Sequence, residues 1–519
     1  MHPLIEALSR ADAYPHDTSN AIQVTETHIS WVFLTGIYAY KIKKPVNLGF
    51  LDFTLLEQRL HYCREEVRLN RRLCPELYLD VVPVTAAEKA IAISGKGRII
   101  DYAVKMMQFD RSLELGRLLA DNKLTGTHID SIIDTVTSFH RVIPAASIDS
   151  EYGRPEKLIL PLLENFRHTA ELVSGSAEQQ MLDKLQAWVQ KEHRQLINCF
   201  LERKRLGFIR HCHGDMHTGN MVWQHDRVLI FDCIEFSHAL SMIDVISDIA
   251  FLFMDLRHGG QPMLAWRFLN GYLSGTGDYD GILLLRFYSL YRAMVRAKVT
   301  AIRYEQEPDE QKKHSIREEH LSYVRQAFLC TIPEGAHLII TCGVSGSGKS
   351  TLASELAPVL QAIHIRSDVE RKRLAGLDAL EKSSQDPQKN IYTSLFTAKT
   401  YERLASIASV CLEAGYQVII DATFLRENER MQFRKLAAKH GSPFTILHLH
   451  ADEKLLLERI NRRLLEGCDP SEADETVLFR QLEKQDPFSE EELLDTLTYD
   501  SGTEMNCEWI ASAVKNRVN

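Results

Sequence analysis

In the stretch HGDMHTGN, His213 to Asn220, an aspartate and an asparagine, Asp215 and Asn220, stand five positions apart, and a second aspartate, Asp232, follows the apolar run VLIF twelve positions later. Carboxylates and a carboxamide at such intervals suit phosphoryl transfer, in which a divalent metal is held against phosphate oxygens while another carboxylate takes the proton of an attacking hydroxyl. The D-x-x-x-x-N interval followed by a post-strand aspartate is the pattern of a phosphoryl-transfer loop. In it Asp215 is the base, Asn220 gives an amide oxygen to metal, and Asp232 bridges metal and phosphates. Gly, Asn and Asp also populate tight turns, so either fragment alone reads as a turn; the two together, followed by FDCIEF, carry the chemical reading. His217, two places after the proposed base, either assists it or packs the loop.

A second constellation is GVSGSGKS, Gly343 to Ser350, placed between the apolar run HLIITC and the helix-like TLASELAPVL. It is a complete G-x-x-x-x-G-K-[ST], and its context, strand before and helix after, is what a phosphate cradle requires. Gly343, Ser345, Gly346, Ser347 and Gly348 turn backbone N–H groups toward phosphate oxygens, and the helix that runs on through Thr351 adds its partial positive charge. Lys349 reaches the terminal phosphates and Ser350 ligates Mg²⁺. Asp368, ending the next apolar run in HIRSDVERKRL, stands where it takes a proton from an acceptor hydroxyl, and Asp421, ending QVIIDATF, holds the magnesium. Arg459, Arg462 and Arg463 recur at one-turn spacing. They fit a cationic lid over ATP, carried by Arg459 and Arg463 above all, and equally a surface helix laced with i, i+4 ion pairs.

The elements that position these residues fall into two parts. At 519 residues the chain exceeds what one hydrophobic core organises, so two or three domains are expected. Before Pro333, strand-like pieces WVFLTGIYAYKI, LDVVPV and IIDYAVKMM surround one helix-like stretch, LLEQRLHYCREEVRLNRRL, which makes a small α+β lobe over about 1–108. From about 109 to 330 the pattern is mostly helical, with His213 to Phe236 as a strand and loop insertion. A charged helical tail then runs into Pro333 and Gly335. Beyond it, HLIITCG, AIHIRSD, QVIIDAT and FTILHLH alternate with helical segments, as in a parallel sheet covered by helices. The expected domains are therefore 1–333 and 334–519.

Composition excludes several classes. Apolar residues at 45% and charged residues at 25% are ordinary for a soluble globular chain. No apolar run is long enough for a bilayer, and the first residues carry no export signal, so no membrane partner and a cytoplasmic location are expected. The ten scattered cysteines form no C-x-x-C pair, as in a reduced protein. HCH at His211 to His213 has no second cluster, and neighbouring strand residues face opposite ways. A net charge of −9 disfavours broad nucleic-acid binding while leaving room for a local basic groove.

HGDMHTGN, FDCIEF and DVISDIAFL resemble the aminoglycoside phosphotransferase and choline kinase family, whose fold is similar to that of protein kinases; the resemblance spans residues 1 to about 330. It implies a bilobal α+β fold, with a small-lobe lysine on a strand paired to a helical glutamate. YAYKIKKP offers Lys41, with Lys43 the weaker choice, and REEVRLNRRL offers Glu66, with Glu65 the runner-up. No G-x-G-x-x-G precedes Lys41, so another hairpin, around ETHIS, must cover the phosphates. VKMMQFD reads as the lobe connection that meets adenine, and Asp248 as a support for the catalytic loop. Residues 336 to about 488 are similar to small P-loop kinases, closest to the polynucleotide kinase branch, which implies an α/β domain with a parallel sheet.

The two resemblances imply ATP and Mg²⁺ as cofactors and an ATP-dependent phosphotransferase with two nucleotide sites. The acceptor is a small hydroxylated molecule, or for the second half a nucleic-acid 5′ end; no protein partner is implied. The alternative is a nucleotide-binding regulatory protein in which one half holds ATP without transfer. An aminoglycoside, a polycation, needs an acidic pocket, for which Glu235, Asp244 and Asp255 are the candidates.

Overall fold

The computed structural model describes residues 3–18, 21–47, 51–87, 90–175, 177–333, 335–383, 391–467 and 469–517. By packing, residues 1–169 and 190–255 form one unit, and 170–189 with 256–519 form another.

Side-chain alternation builds the sheet of the first unit. In the strand Tyr38–Lys43, Tyr40 and Ile42 enter a core with Leu4, Leu8, Trp31, Phe33 and Val84. The period of two then puts Ala39, Lys41 and Lys43 on the opposite face. The sheet has six antiparallel strands in the order Gln23–Glu26, Ser30–Leu34, Tyr38–Lys43, Arg98–Met107, Tyr78–Ala87, Ala90–Ile93. On the lysine face lies the helix Leu56–Asn70, whose buried Arg59, Cys63, Glu66, Val67 and Asn70 recur at helical spacing. That spacing turns Glu66 inward and leaves Glu65 to an exposed ion pair with Arg68. The α+β lobe expected over about 1–108 is thus present.

Beyond it, helices such as Gly126–Val142, Ile197–Arg205 and Val245–His258 dominate. Two short antiparallel ribbons interrupt them: Ile209–His211 with Met242–Asp244, and Met221–Gln224 with Arg227–Ile230. The segments 212–220 and 231–236 connect these ribbons, which is why both contain little regular structure yet sit on fixed ends.

The second unit holds a parallel sheet in the order Ala362–Arg366, Gln417–Asp421, His337–Cys342, Phe444–His450, Thr496–Asp500. Four of its strands are the expected apolar runs; the fifth, TLTYD, alternates more and less covered positions at the sheet margin. The helices Lys349–Leu360 and Cys507–Asn516 cover one side with Leu352, Leu356, Leu360, Ile510 and Val514. Each such fully buried aliphatic side chain contributes about 1.5–3 kcal/mol. The division expected near Pro333 follows composition, and Glu334 lies outside the described residues. Packing changes over at Asp255 instead, because the helix Pro262–Thr276 buries Trp266 edge-on against Tyr416 at 5.9 Å, next to the central strands. Among the described residues no helix is long and apolar enough to cross a membrane.

Two candidate nucleotide sites

In the first unit, strand and helix bring Lys41 to Glu66, with Nζ 2.8 Å from Oε1. The same ammonium meets Asp232 Oδ1 at 2.5 Å. Burial alone depresses a lysine, and the carboxylates of Asp232, Glu66 and Glu235 outweigh it, holding Lys41 above its ordinary range. Lys43, the weaker sequence candidate, is fully buried, 2.6 Å from Glu66 Oε2 and bonded to Glu235. Two lysines therefore share one glutamate, and the second glutamate, Glu235, balances the charge.

Asp232 reaches this cluster because its backbone adopts φ 66°, a left-handed conformation aspartate tolerates better than most residues. Its N–H donates to the Tyr78 hydroxyl at 3.2 Å, and the neighbouring Cys233 N–H donates to Asn70 Oδ1 at 2.8 Å. A strained backbone over-determined by its surroundings is common where chemistry is done.

The loop before it is held with equal care. Asp248, completely buried, accepts from the N–H of His213 at 3.0 Å and of Gly214 at 2.9 Å. Gly214 has φ 89°, and a Cβ there would lie 2.8 Å from Leu240 O, so no other residue fits. Asp255 accepts from Thr218 N and Oγ1 at 2.9 and 2.6 Å. Asn220 Nδ2 donates to Asp215 Oδ2 at 3.0 Å, and Phe231 N donates to Asn220 O at 2.9 Å. His217 packs within the loop, its Nδ1 accepting from Gly219 N at 3.1 Å, and its Nε2 lies 3.4 Å from Asp215 Oδ2.

A cavity of about 240 Å³ opens beside Lys41 and Asp232. Met106, Met107, Gln108 and Phe109 of the expected lobe connection line it, and Thr25 and Thr27 line it from the hairpin around ETHIS. Asp215, Asn220 and Glu66 are not among its lining residues; Glu66 is tied to it through Lys41, and Gly219, next to Asn220, lines it. Glu235, Asp244 and Asp255 do not converge on an acidic acceptor pocket. Glu235 is bonded to Lys43, Asp244 to Arg203 at 2.6 Å, and Asp255 to Thr218, so each carboxylate is committed within the fold. Of the HCH residues, Cys212 lies near His140 and Asp248, but Asp248 is already engaged by His140 at 3.1 Å and by two backbone N–H groups. His213 turns the other way, 2.9 Å from Phe231 O.

In the second unit a cavity of about 690 Å³ is lined by Ser345, Gly346, Gly348, Lys349, Ser350 and Thr351, and by Asp368, Asp421, Arg459, Arg462 and Arg463. Gly346 has φ 83° and a Cβ there would meet Leu456 O at 2.8 Å. Gly343 and Ser347 shape the loop from beneath and do not line the cavity; Ser347 Oγ instead accepts from Lys349 Nζ at 3.3 Å. Lys349 also donates to Val344 O at 2.7 Å, and burial lowers its pKa against the pull of Asp421. Burial pushes the Asp421 carboxyl up, and His364, Arg366 and Ser350 outweigh it, holding it ionised. The arginine row divides: Arg459 donates to Gly346 O, Ser501 Oγ and Ser501 O at 3.3, 2.9 and 2.7 Å, and Arg463 to Ala473 O at 2.7 Å. Arg459 thus braces the cradle as well as lining it.

Sequence reasoning missed Arg371. It is 8% exposed, lines the same cavity, and donates from Nη1 to Ile391 O and Thr397 Oγ1 at 2.9 and 3.1 Å. Its Nε is buried without a hydrogen-bond partner, and among the described residues no carboxylate forms an ion pair with it. The signal was there: Asp368 and Arg371 are three apart on one helix and share a face. Tyr78 and Gln481, which accepts the Ser345 N–H at 2.7 Å, carried no such signal.

Both groups of residues fit magnesium. Asp232 and Asn220 offer hard oxygen donors in the first unit, as Asp421 and Ser350 do in the second, and magnesium prefers such ligands.

Residues 57–285 match the phosphotransferase enzyme family, and residues 338–488 match an AAA domain family. Uncharacterized proteins of Mycobacterium tuberculosis and Mycobacterium bovis are 29% identical over 456 residues, 87% of this chain and 88% of theirs. A choline/ethanolamine kinase family protein from Mesorhizobium loti is similar over 63% of this chain and 99% of its own, at 12% identity and TM-score 0.37. A gluconokinase from Sinorhizobium meliloti is similar over 35% of this chain and 89% of its own, at 20% identity and TM-score 0.25. The chain thus joins a region that matches the phosphotransferase enzyme family to one that matches the AAA domain family and carries a complete P-loop.

Proposed function

We propose that the chain is an ATP-dependent phosphotransferase with two nucleotide sites, one in residues 1–333 and one in 334–519, each moving the γ-phosphate to an acceptor hydroxyl. The observation that carries this reading is Lys41, whose ammonium joins Glu66 at 2.8 Å and Asp232 at 2.5 Å beside a cavity. That is the arrangement a phosphate-positioning lysine requires.

In the first site Lys41 orients the phosphates, and Asp215, set by Asn220 and by the loop that Asp248 holds, takes the acceptor proton. Asn220 and Asp232 are the residues to hold Mg²⁺. In the second, the loop 343–350 cradles the phosphates, Lys349 reaches the terminal one, Asp368 takes the proton, and Ser350 and Asp421 hold Mg²⁺. Bound magnesium supplies charge neutralisation at the phosphate oxygens. Arg371 supports an anionic acceptor for the second site, because among the described residues this buried guanidinium has no carboxylate partner, and a ligand that brings one stabilises it. A nucleic-acid 5′ end and a small phosphorylated or carboxylated alcohol both have that chemistry.

The test is Mg-ATP turnover by the full chain against a panel of hydroxylated acceptors, for the native protein, Asp215→Asn and Asp368→Asn. Each substitution is expected to remove a separate activity by roughly 10²-fold or more, with nucleotide affinity retained. If neither substitution changes any turnover, the regulatory nucleotide-binding reading replaces this one.

A further inference from the structure

The strand Ala362–Arg366 ends the parallel sheet, so among the described residues one of its edges has no strand beside it. An open edge leaves N–H and C=O groups that need partners. Asn270, on the helix Pro262–Thr276, supplies them. Its Nδ2 donates to Ala362 O at 2.9 Å and its Oδ1 accepts from His364 N at 2.8 Å. In a parallel ladder the N–H of one residue donates to residue i−1 of its neighbour and the C=O of the same residue accepts from residue i+1; the carboxamide of Asn270 reproduces that pair of bonds around Ile363.

The contact is one of three spaced a helical turn apart. Four residues before it, Trp266 Nε1 donates to Gln361 Oε1 at 3.3 Å, and four residues after it, Ser274 O accepts from Arg373. The helix therefore follows the chain from Gln361, past the strand, into the helix Ser367–Leu374. Only a short stretch lies between the pinned residues and the proposed base. Arg366 pairs in register with Asp421 and its Nε lies 3.8 Å from that carboxylate, and Asp368 follows directly on the next turn.

We propose that Asn270 is a positioning residue of the second site: a side chain within the span matched by the phosphotransferase family, residues 57–285, acts as the missing sheet neighbour that fixes strand 362–366 and so the place of Asp368. A misplacement of about 1 Å at a reacting group can cost on the order of 10²-fold in rate, so the rung bears on turnover as well as on folding. The activity arm rests on the second site being a kinase; the structural arm does not.

The experiment uses the full chain and the variants Asn270→Ala and Asn270→Asp. Amide exchange is followed in 362–366, and second-site turnover is taken as the part of Mg-ATP turnover that Lys349→Ala removes. Asn270→Ala should lower protection at His364 by about tenfold or more, and lower second-site kcat by about tenfold with KM for Mg-ATP within about twofold. Asn270→Asp places a carboxylate against Ala362 O and should behave alike near neutral pH. Toward roughly pH 5 a protonated carboxyl again donates to Ala362 O, so protection and kcat should recover in Asn270→Asp and not in Asn270→Ala. Unchanged His364 protection in Asn270→Ala overturns the proposal, as does a rise in KM with kcat intact. If Lys349→Ala removes no turnover, the kinase reading of that site has failed, and the exchange result with its pH-dependent recovery alone decides for or against Asn270.

Discussion

Lys41 and Asp232 are 191 positions apart in the chain, and their side chains meet at 2.5 Å. One comes from a central strand that alternation turns toward the helix Leu56–Asn70, the other from the end of a short ribbon where the backbone is driven to φ 66°. Neither local pattern requires the other. Their meeting is what brings a strand lysine and a post-strand aspartate to one place, on the wall of a single cavity.

Glu66 is the hub of that cluster, so removing its charge should be costly. Glu66→Gln leaves Lys41 and Lys43 buried with only Asp232 and Glu235 opposite, and should destabilise the first unit by about 3–5 kcal/mol. Glu65→Gln breaks only the surface pair with Arg68, for which about 0–1 kcal/mol is expected. Urea unfolding of the two variants separates them; equal midpoints would show that the buried cluster contributes no more than the exposed pair.

The phosphate cradle makes a steric prediction. At Gly346 a Cβ would stand 2.8 Å from Leu456 O in a backbone with φ 83°. Gly346→Ala should therefore displace the loop and reduce nucleotide affinity of the second site by about tenfold or more, from strain of order 1–3 kcal/mol. Calorimetric titration with Mg-ATP in a Lys41→Ala background, which weakens binding at the first site, reads it, and an affinity within twofold of the unmodified loop would contradict the geometry.

Stability should fall in mild acid for a reason located at His337. It is 2% exposed in the central strand, 3.0 Å from Thr445 Oγ1, and burial pushes its pKa down from 6.5 to about 4. The unfolded chain binds this proton below about pH 6.5, the folded chain only below about pH 4. Stability from this group is thus complete above the unfolded value and is lost as pH falls toward 4, by about 3 kcal/mol. His337→Gln should flatten the dependence of the second unit's unfolding midpoint between pH 6.5 and 4; an unchanged slope would assign the acid sensitivity elsewhere.

How far the chain could be read in advance depended on the range of the interactions. HLIITC, AIHIR, QVIID and FTILHLH are continuous apolar β-type runs, and a strand buried on both faces announces itself that way. TLTYD did not, because a marginal strand alternates and is short. Asp215, Asn220 and Asp232 were singled out by local spacing and Lys41 and Glu66 through the family resemblance, and the packing brings Lys41 against Glu66 and Asp232. The second lysine's burial against Glu235, the bond from Ser345 N to Gln481, and the docking of residues 262–276 on strand 362–366 were not, because they join segments far apart whose own patterns are satisfied without each other. The three acidic residues considered for a polycationic acceptor show the same limit: a sequence gives their charge, and only packing shows that Lys43, Arg203 and Thr218 already occupy them.

Arg371 gives the sharpest test of what the second site accepts. Its guanidinium sits 5.4 Å from the centroid of the Tyr392 ring, on the helical face it shares with Asp368, and two of its contacts are neutral oxygens, Ile391 O and Thr397 Oγ1. Neutral acceptors do not balance a buried cation, so an incoming carboxylate or phosphate is worth more here than at the surface. Arg371→Gln keeps a donor of similar reach and removes the charge. With an anionic acceptor it should raise acceptor KM by about tenfold to a hundredfold, the cost of about 1.5–3 kcal/mol for a charge-assisted hydrogen bond. KM for ATP should stay within about twofold, since the proposed nucleotide binding falls to Lys349 and the loop 343–350. Arg371→Lys should recover part of the loss, because a point charge remains without the planar fork. Initial-rate kinetics with paired acceptors, one phosphorylated or carboxylated and one neutral but otherwise alike, decides it. A neutral acceptor preferred by the native chain, or an Arg371→Gln effect on ATP alone, would move this arginine from the acceptor side to the nucleotide side of the cavity.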